Sequence, residues 1–178
     1  MNIKKNLILV LFLSIIFSFS ITKAHGPSRQ KVNQTVEINK DLDQIWKIVS
    51  DFNNFKWNSE IKDLSSNGND IGSERIINFK NGSKIKQKLE KIDKEKKMVS
   101  WRIIETDNKF LPVNSYAAKI FLKSKDPMIT QVIYKAGFYR GFMGNDPPEE
   151  LNDENSKKKV AEFIKNSLDG LKQIAEKN

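Results

Sequence analysis

The stretch that decides the fold runs from Val36 to Trp57 and reads VEINKDLDQIWKIVSDFNNFKW. Its first residues continue an alternation of apolar and polar residues that starts at Val32, and this period of two predicts a strand. Asn39 and Asp41 then precede apolar residues at helical spacing, which predicts a capped helix with a tryptophan on its buried face. A strand that leads directly into such a helix is expected to form the first structural unit of a domain.

A second, longer amphipathic helix is predicted from Asn152 to Glu176, with an apolar stripe wide enough to cover a sheet. The stripe consists of Val160, Phe163, Ile164, Ser167, Leu168, Leu171, Ile174 and Ala175. Residues 53–60 predict a short turn or a second helix, and residues 61–138 predict consecutive strands. This order predicts a single α+β domain, in which an antiparallel sheet of about six to seven strands wraps around the long C-terminal helix.

The dipeptide Asn81-Gly82 is the strongest hairpin signal in the chain. It predicts a type I′ turn, in which both central residues have a positive φ. On the strand that follows, Lys84, Lys86 and Lys88 alternate with less polar residues, as on the solvated face of a sheet. The alternative is that these lysines form a docking face for an acidic partner.

The segment from Gly137 to Leu151 predicts neither sheet nor long helix. Within it, Asp146 is expected to cap a helical turn that the following prolines begin. Tyr139 and Arg140 thus stand where a strand ends at a glycine-flanked loop. Tyrosine and arginine are enriched in protein interfaces, so this position suits partner contact. The alternative to partner contact is that Tyr139 packs at the end of the strand and that Arg140 is solvated.

The N-terminal residues resemble a targeting segment. Two lysines precede an uncharged run from Leu7 to Ile21, and Ala24 supplies a small residue for cleavage. The run is shorter than the stretch of about 20 apolar residues that crosses a bilayer. We therefore predict a secretory signal peptide over residues 1–24, a mature domain over residues 25–178 and a periplasmic location, with an uncleaved anchor as the alternative.

Composition narrows the class of partner. The chain has a formal net charge of +9 and no cysteine. Removal of residues 1–24 takes away three lysines and no acid, which lowers the charge from +9 to +6. Without cysteine, packing alone must hold the domain together. A basic balance favours an anionic partner, and export argues against nucleic acid. We expect no membrane association after cleavage.

The residue types present in the chain give little support for enzymatic catalysis. With no cysteine, and with His25 as the only histidine, neither a Ser-His-Asp nor a Cys-His arrangement can be built. We therefore expect no enzymatic activity and no cofactor; the minority alternative uses Arg75, Gln87, Arg102 or Tyr116 to polarise a carbonyl. His25 beside a freed α-amine has the chemistry of a copper chelate, but a solvated terminus is the simpler expectation.

Between such a sheet and its covering helix there is usually room for a small apolar ligand. Trp57 follows a short turn, where it either plugs one end of this cavity or faces a ligand. The other candidates are polar or aromatic residues on the predicted strands. The full set of cavity candidates is Trp57, Arg75, Gln87, Arg102, Tyr116, Tyr134 and Phe138.

The quoted stretch also contains two short motifs. They are I-W-x-x-V-x-D-F, from Ile45 to Phe52, and F-x-W, from Phe55 to Trp57. Followed by the predicted strands and the long helix, they resemble the SRPBCC superfamily, also called START-like or Bet v 1-like. The resemblance implies the helix-grip fold.

Three further segments are similar to the MxaD family of periplasmic proteins. They are HGPSRQKV at residues 25–32, FYRG at residues 138–141 and NDPPEELND at residues 145–153. The resemblance implies an accessory protein of methanol oxidation that holds no cofactor itself. It would help a quinoprotein methanol dehydrogenase pass electrons to its c-type cytochrome, so either protein is an expected partner.

Two positions depart from the related sequences. The pattern after the first helix commonly reads W-H-P, whereas residues 57–59 are Trp-Asn-Ser. Related cyclase-type proteins often have an acid where this chain has Gln87, which weakens any acid-base role opposite Arg75. The alternative function is a carrier of a small hydrophobic ligand, or a polyketide cyclase/dehydrase-like enzyme that uses the same cavity.

Overall fold

A computed structural model describes residues 26–177. The strands are β1 (Gln30–Ile38), β2 (Ile61–Ser66), β3 (Glu74–Phe79), β4 (Lys84–Asp93), β5 (Met98–Thr106), β6 (Val113–Asp126) and β7 (Ile129–Arg140). The helices are α1 (Leu42–Val49) and α2 (Asp153–Lys177), with a 3₁₀ turn at Glu149–Leu151. The predicted signal segment and the copper candidate His25 lie outside the described residues. Within those residues, no helix is long and apolar enough to cross a membrane.

The strands form one antiparallel sheet in the order β1-β7-β6-β5-β4-β3-β2. Strands β2 to β7 are a meander, in which each strand pairs with the next one along the chain. Strand β1 instead pairs with β7, from Gln30 opposite Phe138 to Ile38 opposite Thr130. The first strand is therefore an edge strand that is held by the last one.

The inner face of this sheet packs against α2, and the outer face meets solvent. On β4, for example, Ile85, Gln87 and Leu89 are buried, whereas Lys86 between them points to the outer face. Successive side chains of a strand point to opposite faces, so this alternation follows directly from the sequence. The predicted α+β helix-grip arrangement is confirmed.

Helix α1 forms where the sequence predicts it. The Asp41 carboxylate accepts a hydrogen bond from the backbone N–H of Gln44 at 3.0 Å, so Asp41 is the N-cap. Ile45, Trp46 and Val49 are the buried residues of the helix. Residues 53–60 form turns, so of the two alternatives predicted there the turn is correct.

Helix α2 is the 25-residue element that the sheet encloses. Its start is capped by Asn152, whose side-chain oxygen accepts from the backbone N–H of Asn155 at 2.8 Å. The helix lies across β1 and β7, and the Gln34 amide on β1 donates to the carbonyl oxygen of Ala161 at 2.9 Å. Burial of its apolar stripe, apart from the exposed Ile174, closes the core between helix and sheet.

The hairpin between β3 and β4 differs from the predicted type I′ turn. Gly82 has a φ of +87°, but Asn81 is absent from the described residues with positive φ. The N–H of Gly82 donates to the Phe79 carbonyl, and the N–H of Phe79 donates to the Ser83 carbonyl. This is a three-residue connection with glycine at the left-handed position. The hairpin prediction is correct, and its turn type is wrong.

Strand β7 extends further than the sequence indicates, because it continues to Arg140 rather than ending at Phe138. Asp146 does not act as a helix cap. It has a φ of +52°, and the 3₁₀ turn begins after Pro148. The predicted helical turn is therefore present, but it begins later and without a side-chain cap.

Candidate ligand-binding site

A cleft of about 670 Å³ opens beside the N-terminal half of α2. Three other parts of the chain surround it: the turn before β2, the β3–β4 hairpin tip and the loop between β5 and β6. We call this space the mouth cleft. It lies at one end of the helix grip, where loops rather than strands cover the helix.

Aromatic side chains form the apolar part of the mouth cleft. Phe79 and Phe110 are in contact, with ring centroids 4.3 Å apart, and the ring of Phe163 on α2 lies 6.2 Å from that of Phe79. Leu111 is buried beside them. Phe79, Phe163 and Leu111 are almost fully buried, so the half-buried ring of Phe110 is the main apolar surface that the cleft offers among mostly polar lining residues.

Charged side chains of both signs form the rim of the mouth cleft: Lys80, Lys109, Lys159, Glu60, Asp107 and Glu162. Lys109 from the β5–β6 loop and Lys159 from α2 line both the mouth cleft and a neighbouring cleft of about 680 Å³. Two hydrogen bonds connect the walls. The Asn166 amide donates to a Glu60 carboxylate oxygen at 3.0 Å, and the Ser83 hydroxyl donates to a carboxylate oxygen of Asp107 at 3.3 Å.

Deeper in the grip, Arg75 is buried with only 3% of its surface exposed. Its Nε donates to the Gln87 side-chain oxygen at 2.8 Å, and one Nη donates to the Phe52 carbonyl oxygen at 3.2 Å. The guanidinium carbon lies 4.1 Å, 4.4 Å and 5.5 Å from the ring centroids of Phe52, Phe55 and Trp101. The aromatic faces stabilise the cation, since a ring presents negative charge density on its face.

Burial lowers the pKa of Arg75 to about 9, and the negative charge of Asp51 opposes part of that shift. The side chain therefore remains a cation at neutral pH. Two neighbouring donors, the Gln87 amide nitrogen and the Trp101 indole nitrogen, are buried without an acceptor among the described protein atoms. The interior around Arg75 is thus rich in donors and has few acceptors.

The other polar pair of the interior is Tyr116 and Tyr134, whose hydroxyl oxygens are 3.2 Å apart. Burial raises the pKa of both phenols above its usual value, so both are protonated at neutral pH. An efficient general acid or base has a pKa near the working pH. Neither tyrosine has this property, and nor does Arg75. Residues 26–177 contain no group of three or more carboxylates or histidines that could hold a metal.

The structure brings most of the predicted cavity residues to the inner face of the sheet. Arg75 contacts Gln87, Tyr116 contacts Tyr134, and the ring of Phe138 stacks on that of Tyr116 at 6.0 Å. A ligand role for these residues stays a prediction.

Trp57 fills the interior rather than the mouth cleft. It is buried, donates its indole N–H to the Asn54 carbonyl at 3.3 Å, and contacts Phe55 edge-on at 4.4 Å. Of the two roles predicted for Trp57, packing at the end of the core is the one that this geometry supports.

The prediction that Arg102 lies in the cavity is wrong. Arg102 is exposed on the outer face of β5, and its Nε lies 3.6 Å from a Glu90 carboxylate oxygen. Trp101 precedes it and points inward, so strand alternation excludes Arg102 from the cavity.

Arg140 is not an exposed docking residue, because it is buried with 4% of its surface exposed. Its guanidinium donates to the carbonyl oxygens of Phe142 at 2.8 Å and Gly144 at 2.7 Å, and lies 3.1 Å from an Asp153 carboxylate oxygen. Its neighbour Tyr139 is half-buried on the outer face, with the guanidinium carbon of Arg29 5.6 Å from its ring centroid.

The other predicted docking residues, Lys84, Lys86 and Lys88, do lie on the outer face of β4. Lys86 is already paired, since its Nζ lies 2.8 Å from a Glu74 oxygen and 3.9 Å from a Glu105 oxygen. Sequence reasoning missed the aromatic wall of the mouth cleft. Phe110, two residues before Pro112 in a polar loop, was the available signal.

The enclosed helix, the seven-stranded sheet and the cleft at its mouth define the class: a Bet v 1-like helix-grip protein. The chain belongs to the polyketide cyclase / dehydrase and lipid transport family, whose model matches residues 29–176. No curated protein sequence matches the chain.

Solved structures share the fold at low sequence identity. XoxI from Bacillus cereus is 21% identical, with a TM-score of 0.67 over 81% of this chain and 94% of that one. Norcoclaurine synthase from Thalictrum flavum, in complex with dopamine and hydroxybenzaldehyde, is 15% identical, with a TM-score of 0.62 over 87% and 91%. Zhui aromatase/cyclase from Streptomyces sp. R1128 is 12% identical, with a TM-score of 0.64 over 84% and 94%. Such likeness shows the fold alone.

Proposed function

We propose that this protein binds a small amphipathic ligand in the mouth cleft and carries out no chemistry on it. The observation that carries the proposal is the contact between Phe79 and Phe110, which forms an apolar wall directly beneath a charged rim. An aromatic or aliphatic body would pack on this wall. An anionic head would meet Lys109 at the rim, since the Lys159 ammonium already lies 3.8 Å from a Glu162 carboxylate oxygen.

Two further observations support the proposal, the first for ligand binding and the second for the absence of proton transfer. The family includes lipid transport in its description, and a norcoclaurine synthase of the same fold has been solved with two small aromatic molecules. The interior titratable groups, Arg75, Tyr116 and Tyr134, keep one protonation state around neutral pH. These three groups lie in the interior rather than in the mouth cleft, and none of them has the pKa near neutral that proton transfer requires.

The test uses anilinonaphthalene sulfonate, an anionic aromatic probe, titrated against the folded protein. We expect saturable fluorescence that weakens at least fivefold in Phe110→Ala and in Lys109→Glu. Lys94→Glu, in the turn between β4 and β5, makes the same charge change away from the cleft and should leave the affinity within twofold. Equal binding by all variants would contradict the proposal.

A second candidate function is docking in periplasmic methanol oxidation, as an exported accessory protein of a quinoprotein methanol dehydrogenase or its c-type cytochrome. Its support is the MxaD-like sequence at residues 138–153 together with the net charge of +6 that remains when residues 1–24, which contribute three of the chain's +9 charges, are removed. A basic protein approaches an acidic partner faster, and salt weakens this attraction.

Capture from a periplasmic extract tests this docking role. The protein is immobilised at low salt, and retained proteins are identified by mass spectrometry. We expect a quinoprotein dehydrogenase or a c-type cytochrome that is released at high salt. Retention of neither, with a small molecule released on denaturation, would leave the carrier function alone.

A further inference from the structure

The outer face of the sheet contains a groove of about 490 Å³ across β1, β7, β6 and β5. Four cationic side chains line it: Arg29, Lys31, Lys119 and Lys135. We call it the basic groove. All four residues are exposed, and none belongs to the lysine row on β4 that the sequence indicates as a docking face.

Small residues make this surface concave. Gly137 on β7 lies between Lys31 on β1 and Ala117 on β6, and Ser100 on β5 lies opposite Lys119. The lysine side chains stand taller than this floor of glycine, alanine and serine. The groove is therefore a recess between cations rather than a flat sheet surface.

Lys119 and Lys135 are directly opposite each other on β6 and β7. Like charges at opposed positions of a sheet repel and lower its stability. Within the described residues, no carboxylate lies within 4.0 Å of either ammonium group, whereas Lys86 on the same face has two such neighbours. The one acid that lines the groove, Glu90, is paired with Arg102 at 3.6 Å.

Aromatic side chains hold the cations at both ends of the groove. The ammonium groups of Lys119 and Lys135 lie 5.3 Å and 5.7 Å from the ring centroid of Phe121. At the other end, Arg29 packs over Tyr139 and donates to the Gly137 carbonyl at 3.4 Å. These contacts keep the positive charges beside the groove.

We propose that the basic groove binds an acidic segment of a partner protein, with carboxylates of that segment meeting Lys119 and Lys135. The inference rests on the docking function proposed above and names its surface. A protruding segment fits a recess, and its carboxylates relieve the repulsion between the two lysines. The groove is concave and has an acid, Glu90, at its edge. A narrow polypeptide can enter such a recess, whereas a broad anionic membrane surface fits it less well.

The probe is a fluorescein-labelled hexaglutamate peptide, compared with a hexaglutamine peptide, by fluorescence anisotropy at low and high salt. We expect salt-sensitive binding of hexaglutamate only, weakened at least tenfold in Lys119→Ser/Lys135→Ser. The control, Lys94→Ser/Lys96→Ser, removes the same charge from an exposed turn and should change the affinity less than twofold. Equal losses in both double variants would show that only net charge matters and would overturn the proposal.

Competition and vesicle-binding experiments test whether the groove binds something other than an acidic polypeptide. Complete competition by millimolar free glutamate would assign the groove to small anions, and tighter lysine-dependent binding to phosphatidylglycerol vesicles would assign it to a membrane surface. Either result overturns the proposal, whereas displacement by unlabelled hexaglutamate alone supports it.

The extract capture separates this inference from the docking function itself. Capture of the dehydrogenase or cytochrome that Lys119→Ser/Lys135→Ser leaves unchanged would overturn the groove assignment and keep the docking function. Peptide binding without capture of either protein would keep the groove and overturn that function.

Discussion

The backbone carbonyl oxygen of Trp57 lies against Gly170 of α2, where a Cβ atom would stand only 1.7 Å from it. Glycine has no Cβ, so the turn before β2 approaches the helix axis more closely than any other residue type would allow. Asn58, next in the chain, donates its amide to the Ser167 hydroxyl at 2.9 Å, one turn earlier on the helix. These two contacts fix the position of α2 along its own axis relative to the turn before β2.

Gly170→Ala should therefore destabilise the protein, although alanine favours helices by about 1 kcal/mol over glycine. The added methyl group would stand 1.7 Å from a backbone oxygen, so the backbone must move, and we expect the upper end of the range of about 1–3 kcal/mol that overpacking costs. This cost exceeds the gain in helix propensity. Urea unfolding measures the loss. Gln173→Ala, on the exposed side of the same helix, is the matched control and should change the free energy of unfolding by less than about 0.5 kcal/mol. An unchanged midpoint for Gly170→Ala would contradict the close contact.

Arg75→Met should lower the free energy of unfolding by about 1–3 kcal/mol, because the Gln87 oxygen and the Phe52 carbonyl lose their buried donor. Removal of a buried charge offsets part of this loss. Arg102→Met, at an exposed position, is the control and should stay within about 0.5 kcal/mol of the wild type. A more stable Arg75→Met protein would mean that the cost of burying the cation outweighs its hydrogen bonds and ring contacts.

The buried phenols predict a fall in stability at alkaline pH. The pKa values of Tyr116 and Tyr134 are raised in the folded state, whereas an unfolded tyrosine ionises near about pH 10. Above that pH the unfolded chain releases protons that the folded protein retains, so their contribution to stability decreases as pH rises. Urea unfolding at pH 8, 10 and 11 should show a smaller decrease for Tyr116→Phe/Tyr134→Phe than for the wild type. Parallel pH profiles would show that the phenols ionise alike in both states.

Arg140→Met should destabilise the protein by about 2–3 kcal/mol, since it leaves two loop carbonyls and a partly buried carboxylate without their cation. Hydrogen exchange should increase in residues 141–148, whose path depends on the Arg140 contacts. Asp153→Asn retains the carbonyl contacts and loses only the ion pair, so its effect should be smaller. Equal exchange in the wild type and Arg140→Met would show that the loop holds its shape by itself.

Period and capping patterns were sufficient to predict most of the architecture. Asp41 could be identified as a cap because its carboxylate bonds to a backbone group only three residues away. The alternation around Gln87 likewise predicts which side chains face inward, because strand geometry imposes it. The same rule places Arg102 on the outer face of the sheet. The prediction that Arg102 lies in the cavity was wrong because it followed the polar residue type rather than the position on the strand.

The features that escaped prediction depend on partners distant in the sequence. Burial of Arg140 requires carbonyls from the following loop and a carboxylate at the start of α2. The mouth cleft requires Phe110 of the β5–β6 loop to meet Phe79, which lies 31 residues earlier at the end of β3. The basic groove depends on strand register, since only pairing of β6 with β7 brings Lys119 opposite Lys135.

The pairing of β1 with β7 also determines when the molecule can fold. Gln30 of β1 pairs with Phe138 of β7, which lies 108 residues later in the chain. Strand β1 therefore cannot pair until β7 is present. Closing so long a loop is slow, and folding rates fall as contacts become less local. A chain emerging N-terminus first therefore keeps its first strand unpaired until nearly the whole domain has appeared. We expect folding to be a late event, completed when β7 docks between β6 and β1 and the last helix follows.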